Sequence, residues 1–175
     1  MIKNWNQFSS QPNTVRGGYI MIKTPIENWK DITLIIDPID IYDDSENKYG
    51  IELNPHVTII YGINEEECPI GDIKNKLKNH HPFKIKVNGI GIFHNDKFDV
   101  VKLNVEKTKE LQMVFNDLNT LPNSNEFPDY SPHITIGYVK PGLGKKYERN
   151  FKMDLGYFKT IHVKYSDDSF YDIKI

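Results

Sequence analysis

Asn54-Pro55-His56-Val57-Thr58-Ile59-Ile60-Tyr61-Gly62 is matched later in the chain by Ser131-Pro132-His133-Ile134-Thr135-Ile136-Gly137-Tyr138. Each copy runs turn residue, Pro, His, β-branched residue, Thr, Ile. The two histidines stand 77 residues apart in a chain of 175. A unit duplicated over nearly half the chain predicts two similar lobes related by a pseudo-twofold. The β-branched and aromatic content of both copies predicts strands. Side chains alternate across a strand, so His56 and Thr58 share one face, with Val57, Ile59 and Tyr61 on the other. His133 and Thr135 are set against Ile134, Ile136 and Tyr138 in the same way. The apolar faces ask for helices to cover them. If the lobes face each other, two imidazoles and two hydroxyls converge on one cleft.

Working outward, Arg16 to Lys23 reads as a strand entered through Gly17 and Gly18, and Asn28 to Ile36 has helical spacing up to Asp37-Pro38. Residues 40–54 form an acidic, turn-rich loop leading into His56, placed to act as a lid over the cleft. Pro69 to Asn79 predicts a short amphipathic helix. Phe83-Lys84-Ile85-Lys86-Val87 alternates as a half-buried strand and continues through Gly89-Ile90-Gly91-Ile92-Phe93. Asn95-Asp96 turns it into a returning strand over 98–105. Leu111, Val114, Phe115, Leu118 and Leu121 make the stripe of a helix over 108–121. Two further strands are expected near 157–165 and 170–174. The tally is about seven strands and three helices, with short connections that favour antiparallel pairing. Residues 1–16 read as an N-terminal arm and 17–175 as one bilobal domain.

Hydrophobic residues are 38% and charged residues 26%, a globular balance, and aromatics reach 12%. Net charge is −2, with Arg16 and Arg149 the only arginines. Long nucleic acid is therefore not the expected partner, since non-specific binding is built on excess positive charge. Lys23, Lys102 and Lys140 can still supply local positive field. A single cysteine, Cys68, excludes an internal disulfide framework and a multi-Cys zinc site, and points to a reducing cytoplasm. No apolar run approaches membrane-spanning length, and Met1 to Ser10 does not read as a signal peptide. The absence of Ala and the Lys, Ile and Asn bias fit translation of an AT-rich genome. No exposed heptad or apolar edge argues for an oligomer, so a monomer is expected.

Two histidines and two threonines suit phosphodiester chemistry. Neutral imidazole takes a proton from an attacking hydroxyl, and imidazolium gives one to the leaving oxygen, both near neutral pH. Threonine hydroxyls hold non-bridging phosphate oxygens. This scheme needs no metal and no cofactor. Which histidine is the acid stays open, as does the choice of water or a 2′-hydroxyl as nucleophile. Tyr19 and Phe93 are candidate stacking surfaces for substrate bases, with core packing the alternative for each. His80, His81, His94 and His162 are given structural roles.

The two His-x-Thr motifs resemble those of the 2H phosphoesterases. The order of Gly89-Ile90-Gly91-Ile92-Phe93, Val100 to Val105, the Leu111/Leu118 helix and Pro132-His133-Ile134-Thr135 follows that superfamily. So does the ending, Val163-Lys164-Tyr165-Ser166 and Tyr171-Asp172-Ile173. The resemblance covers residues 17–175. It implies an α+β, bilobal (LigT-like) fold, with two antiparallel sheets lining a central cleft and helices outside. It implies metal-independent cleavage of nucleotide phosphodiesters, with His56 and His133 as the acid–base pair and Thr58 and Thr135 binding phosphate. Pro55 to Ile63 looks most like the phage anti-CBASS branch, whose members cut cyclic di- or trinucleotide signals of bacterial antiviral immunity in the host cytoplasm. Two rivals remain: an RNA-end 2′,3′-cyclic phosphodiesterase or 2′–5′ RNA ligase, and a protein that sequesters a nucleotide without cutting it. Intact copies of both His and both Thr weigh against sequestration.

Overall fold

The computed structural model describes residues 17–43, 49–125 and 129–175. The expected arm, 1–16, lies outside the described residues, as does 44–48 of the expected lid. Eight strands form two antiparallel four-stranded sheets. Sheet A takes β2 (His56–Ile63), β1 (Gly18–Lys23), β7 (Thr160–Lys164) and β8 (Phe170–Lys174), in that order. Sheet B takes β5 (His133–Val139), β4 (Asp99–Val105), β3 (Phe83–His94) and β6 (Met153–Phe158). Each His-x-Thr strand is therefore an outer strand of its sheet. The α+β architecture with two antiparallel sheets matches the expectation.

Among the described residues three α-helices accompany the sheets, α1 (Trp29–Thr33), α2 (Ile70–Leu77) and α3 (Lys109–Leu118), with short 3-10 turns at Pro38–Asp40 and Gly144–Tyr147. Thr108 caps α3 by accepting from the Leu111 N–H at 3.3 Å, and the stripe Leu111, Val114, Phe115 and Leu118 is buried. Helix α3 lies between β4 and β5 in sequence but packs on β2 and α2, while α1, between β1 and β2, packs on β5. Each lobe thus covers the other's histidine strand. The core includes Ile20, Ile22, Val57, Ile60, Leu103, Ile134 and Ile136. The Tyr130 hydroxyl donates to the Thr58 carbonyl at 3.2 Å while its ring stacks on Phe115 at 4.3 Å. No described helix is long and apolar enough to cross a membrane.

Three expectations are corrected. The single strand expected near 157–165 is two strands, β6 and β7, because the chain leaves sheet B and joins sheet A at Lys159. The helix expected over 28–36 has five residues, since Asn28 enters it in the left-handed conformation without a side-chain cap and it buries no residue. Tyr61 does not share the covered face of Val57 and Ile59; it is 46% exposed. A register slip explains this. Met21 pairs Thr58 but Ile20 pairs Ile60, so Ile59 is an extra residue that turns the alternation over. Strand β5 carries the equivalent slip, with Lys102 opposite Thr135 and Val101 opposite Gly137, leaving Ile136 unpaired.

Candidate active site

The two bulges fall three residues after each histidine, so the strands position their histidines in the same way. His56 and Thr58 are half-buried on one face of β2, flanked by buried Val57 and Ile59. His133 and Thr135 are half-buried on β5, between buried Ile134 and Ile136. Each imidazole is fixed from behind. The Nδ1 of His56 meets the Asn54 carbonyl at 2.8 Å, and the Nδ1 of His133 meets the Ser131 carbonyl at 2.9 Å. A carbonyl only accepts, so Nδ1 carries the hydrogen in both rings and Nε2 is left for chemistry. The residue before a proline is confined to extended backbone, which holds that carbonyl in place. Pro55 and Pro132 thus serve the histidines that follow them.

Around His133 sheet B builds a polar floor. Across β4 and β5, Asn104 stands opposite His133 and Lys102 opposite Thr135. Lys102 is 6% exposed. Its Nζ donates to Asn104 Oδ1 at 2.5 Å and sits 4.2 Å from the centroid of Phe93. The Phe93 ring meets the His133 ring at right angles, 4.9 Å between centroids. Burial lowers the Lys102 amine to about 8, against a raising effect from Glu148. Burial also lowers the His133 imidazole to about 4, opposed by the Ser131 carbonyl and assisted by the charges of Lys102 and His56. His56 is thus near enough for its charge to act on His133, and the two motifs converge. Tyr130 and the β2–β5 approach hold them there.

On the other side a groove of about 1020 Å³ opens from His56 across sheet A, lined by Tyr19, Met21, Lys23, His162 and Phe170 among others, and by Tyr157 and Phe158 of β6. Tyr19, a candidate stacking surface, is among the residues that line the groove. Phe93 touches His133 and Lys102 rather than lining that groove. Lys23 lies opposite His56, its Nζ 4.1 Å from the Phe170 centroid. Lys140 points away, donating to the Ile39 carbonyl at 2.7 Å.

His162, read as structural, lines the groove with its Nδ1 2.7 Å from Asp172 Oδ1 and its ring stacked on Phe170. His80 pairs with Asp117 and His94 with Asp99, both at 2.9 Å, in structural roles. Cys68 is fully buried just before α2, and burial pushes its thiol up. Among the described residues no cluster of three or more His, Cys, Asp or Glu is arranged to hold a metal ion. The described ends of the 40–54 loop are fastened to β5: Tyr42 N–H to the Tyr138 carbonyl, Glu52 N–H to the Ile136 carbonyl, both at 2.9 Å.

Two opposed antiparallel sheets, each presenting one His-x-Thr pair, define a two-histidine phosphoesterase, a hydrolase class. Residues 25–147 match the 2′-5′ RNA ligase superfamily, and the chain belongs to it. An RNA 2′,3′-cyclic phosphodiesterase of Methanocaldococcus jannaschii is 28% identical over 127 residues, 66% of this chain and 73% of the relative. A second, from Methanothermobacter thermautotrophicus, is 30% identical over 109 residues, 55% of this chain and 57% of the relative. In fold the chain is similar to Kluyveromyces marxianus Usb1, with a TM-score of 0.62 at 10% identity, covering 94% of this chain and all of that one. It is also similar to TT0787 of Thermus thermophilus, with a TM-score of 0.62 at 12% identity, covering 90% of this chain and 95% of that one.

Proposed function

We propose that this chain is a metal-independent phosphodiesterase that opens the 3′–5′ linkages of cyclic di- or trinucleotide second messengers. It would act in a host cell's cytoplasm, as a monomer, against CBASS-type antiviral signalling. His56 and His133 are the acid–base pair, and Thr58 and Thr135 hold the phosphate. The observation that carries this reading is the paired anchoring of the imidazoles, each with Nδ1 spent on the carbonyl two residues back.

His133 takes the base role, because burial and the neighbouring Lys102 cation disfavour its imidazolium. A bound phosphate anion counters that effect and strengthens the base when substrate is present. In the reaction His133 Nε2 removes the proton of the attacking hydroxyl. That oxygen bonds to phosphorus, the bond to O5′ breaks, and His56 returns a proton to O5′. A 2′-hydroxyl as nucleophile leaves a 2′,3′-cyclic phosphate; water leaves a 3′-phosphate. A groove of about 1020 Å³ with Tyr19 in its lining suits a substrate with more than one base.

A second reading, an RNA-end 2′,3′-cyclic phosphodiesterase, is favoured by the names of both archaeal relatives. The test is product analysis without metal, on a 3′,3′-cyclic dinucleotide and on an RNA ending in 2′,3′-cyclic phosphate. Linearisation of the first supports the proposal. Opening of the RNA end alone moves the chain to RNA processing.

A further inference from the structure

We infer that Lys102 is a further catalytic residue of this site: its ammonium binds a non-bridging oxygen of the scissile phosphate beside Thr135 and meets the negative charge that grows there in the transition state. The inference rests on the proposed roles of His56 and His133 and adds a third phosphate-binding group.

Position is the first argument. Lys102 pairs with Thr135, and Asn104 two residues on pairs with His133, so all four side chains share one face of sheet B. The second argument is an incomplete environment. An ammonium only 6% exposed is costly to keep charged unless an anion accompanies it. Among the described residues its contacts are a neutral amide, Asn104 Oδ1, and the Phe93 ring. Glu148 acts on it through space without forming an ion pair. With an amine near 8, the residue is still a cation at neutral pH. A phosphate bound between Thr135 and His133 is the anion this arrangement lacks.

The third argument is that the fold is shaped to hold it. A Cβ at Gly91 would meet Asn104 Oδ1 at 2.5 Å and Nδ2 at 2.8 Å. The glycine of the Gly89-Ile90-Gly91 run therefore makes room for the amide that steers Lys102. The fourth is asymmetry. In the other lobe the residue opposite Thr58 is Met21, and the cation, Lys23, lies one row further on, over Phe170. Only the lobe of His133 carries a buried charge beside its threonine, on the side where the nucleophile is deprotonated.

The test compares wild type, Lys102→Met, Lys102→Gln and Lys102→Arg, with His56→Asn and His133→Asn as controls. Substrates are a 3′,3′-cyclic dinucleotide and an RNA with a 2′,3′-cyclic phosphate end. Lys102→Met should melt at or above the wild-type temperature, because a buried charge is replaced by a chain of similar length. Its kcat/KM should fall about a hundredfold, with most of the loss in kcat. Lys102→Arg should recover part of it. Calorimetric titration with 3′-AMP reads the phosphate contact whether or not turnover is seen, and affinity should weaken about tenfold in Lys102→Met. Lys102→Gln keeps a partner for Asn104 while removing the charge, and the same losses are expected if the Met variant fails to fold. Lys102→Met or Lys102→Gln with wild-type kcat/KM and wild-type 3′-AMP affinity overturns the inference. If the histidine variants are inactive in that case, the two-histidine reading stands and only Lys102 fails. Histidine variants with wild-type rates would overturn the parent reading instead.

Discussion

His133 gives its Nδ1–H to the carbonyl of Ser131, 2.9 Å away, so Nε2 is the ring nitrogen left free to act as the proposed base. Ser131 is held extended by Pro132, so in the proposed mechanism the proline is a positioning residue behind the base. Pro132→Ala should lower kcat about tenfold through a loosened imidazole, with a smaller change in KM. Steady-state kinetics check this. Equal kcat with a raised KM would place the proline in substrate binding.

His133 also makes stability depend on pH. Its folded pKa is about 4 against an ordinary 6.5. Between those values the unfolded chain binds more protons than the folded one at this residue, so its contribution to stability rises with pH. Above about pH 6.5 the contribution is flat. His133→Asn removes it, so the urea midpoint of wild type relative to the variant should fall from about pH 7 to about pH 4.5. A constant difference between the two proteins would contradict a lowered His133 pKa in the folded state.

Gly91 has ordinary backbone angles, so alanine there is not strained by conformation; it is opposed by Asn104 Oδ1, 2.5 Å from the new Cβ. The amide must shift and Lys102 with it. Gly91→Ala should lower kcat/KM about tenfold with only a small change in melting temperature. Asn104→Ala combined with it should add little further loss, since both act through the same lysine.

Tyr130 joins the lobes by one hydrogen bond, 3.2 Å from its hydroxyl to the Thr58 carbonyl, with its ring stacked on Phe115. Tyr130→Phe keeps the stack and loses the bond. Denaturant unfolding should show a loss of about 1 kcal/mol. No loss would mean the ring alone ties β2 to α3.

The His-x-Thr repeat was readable because period two and residue type are local properties. They placed His56, Thr58, His133 and Thr135 on shared faces, and the buried positions between them follow. The bulges at Ile59 and Ile136 were not readable, because a slip depends on the partner strand, and the first of them turned Tyr61 out to solvent. The division at Lys159 into strands of different sheets is likewise a tertiary choice, made where two β-rich stretches meet without a strong turn residue. Lys102 was legible only as one of three lysines able to supply local positive field; which face it takes was not. Its burial comes from Phe93 and Asn104, brought in by neighbouring positions on β3 and β4. That His162 lines a groove was not readable, because the groove joins β6, β7 and β8 to β1 and β2, which lie far from them in sequence.

The most direct test is the rate of linearisation of a 3′,3′-cyclic dinucleotide in excess EDTA by wild type, His56→Asn and His133→Asn. The account predicts wild-type turnover unaffected by the chelator, and a loss of about 10²–10⁴-fold in each variant with the fold intact by circular dichroism. A variant within a few fold of wild type, or wild-type activity lost to EDTA and restored by a divalent metal, would contradict a two-histidine mechanism.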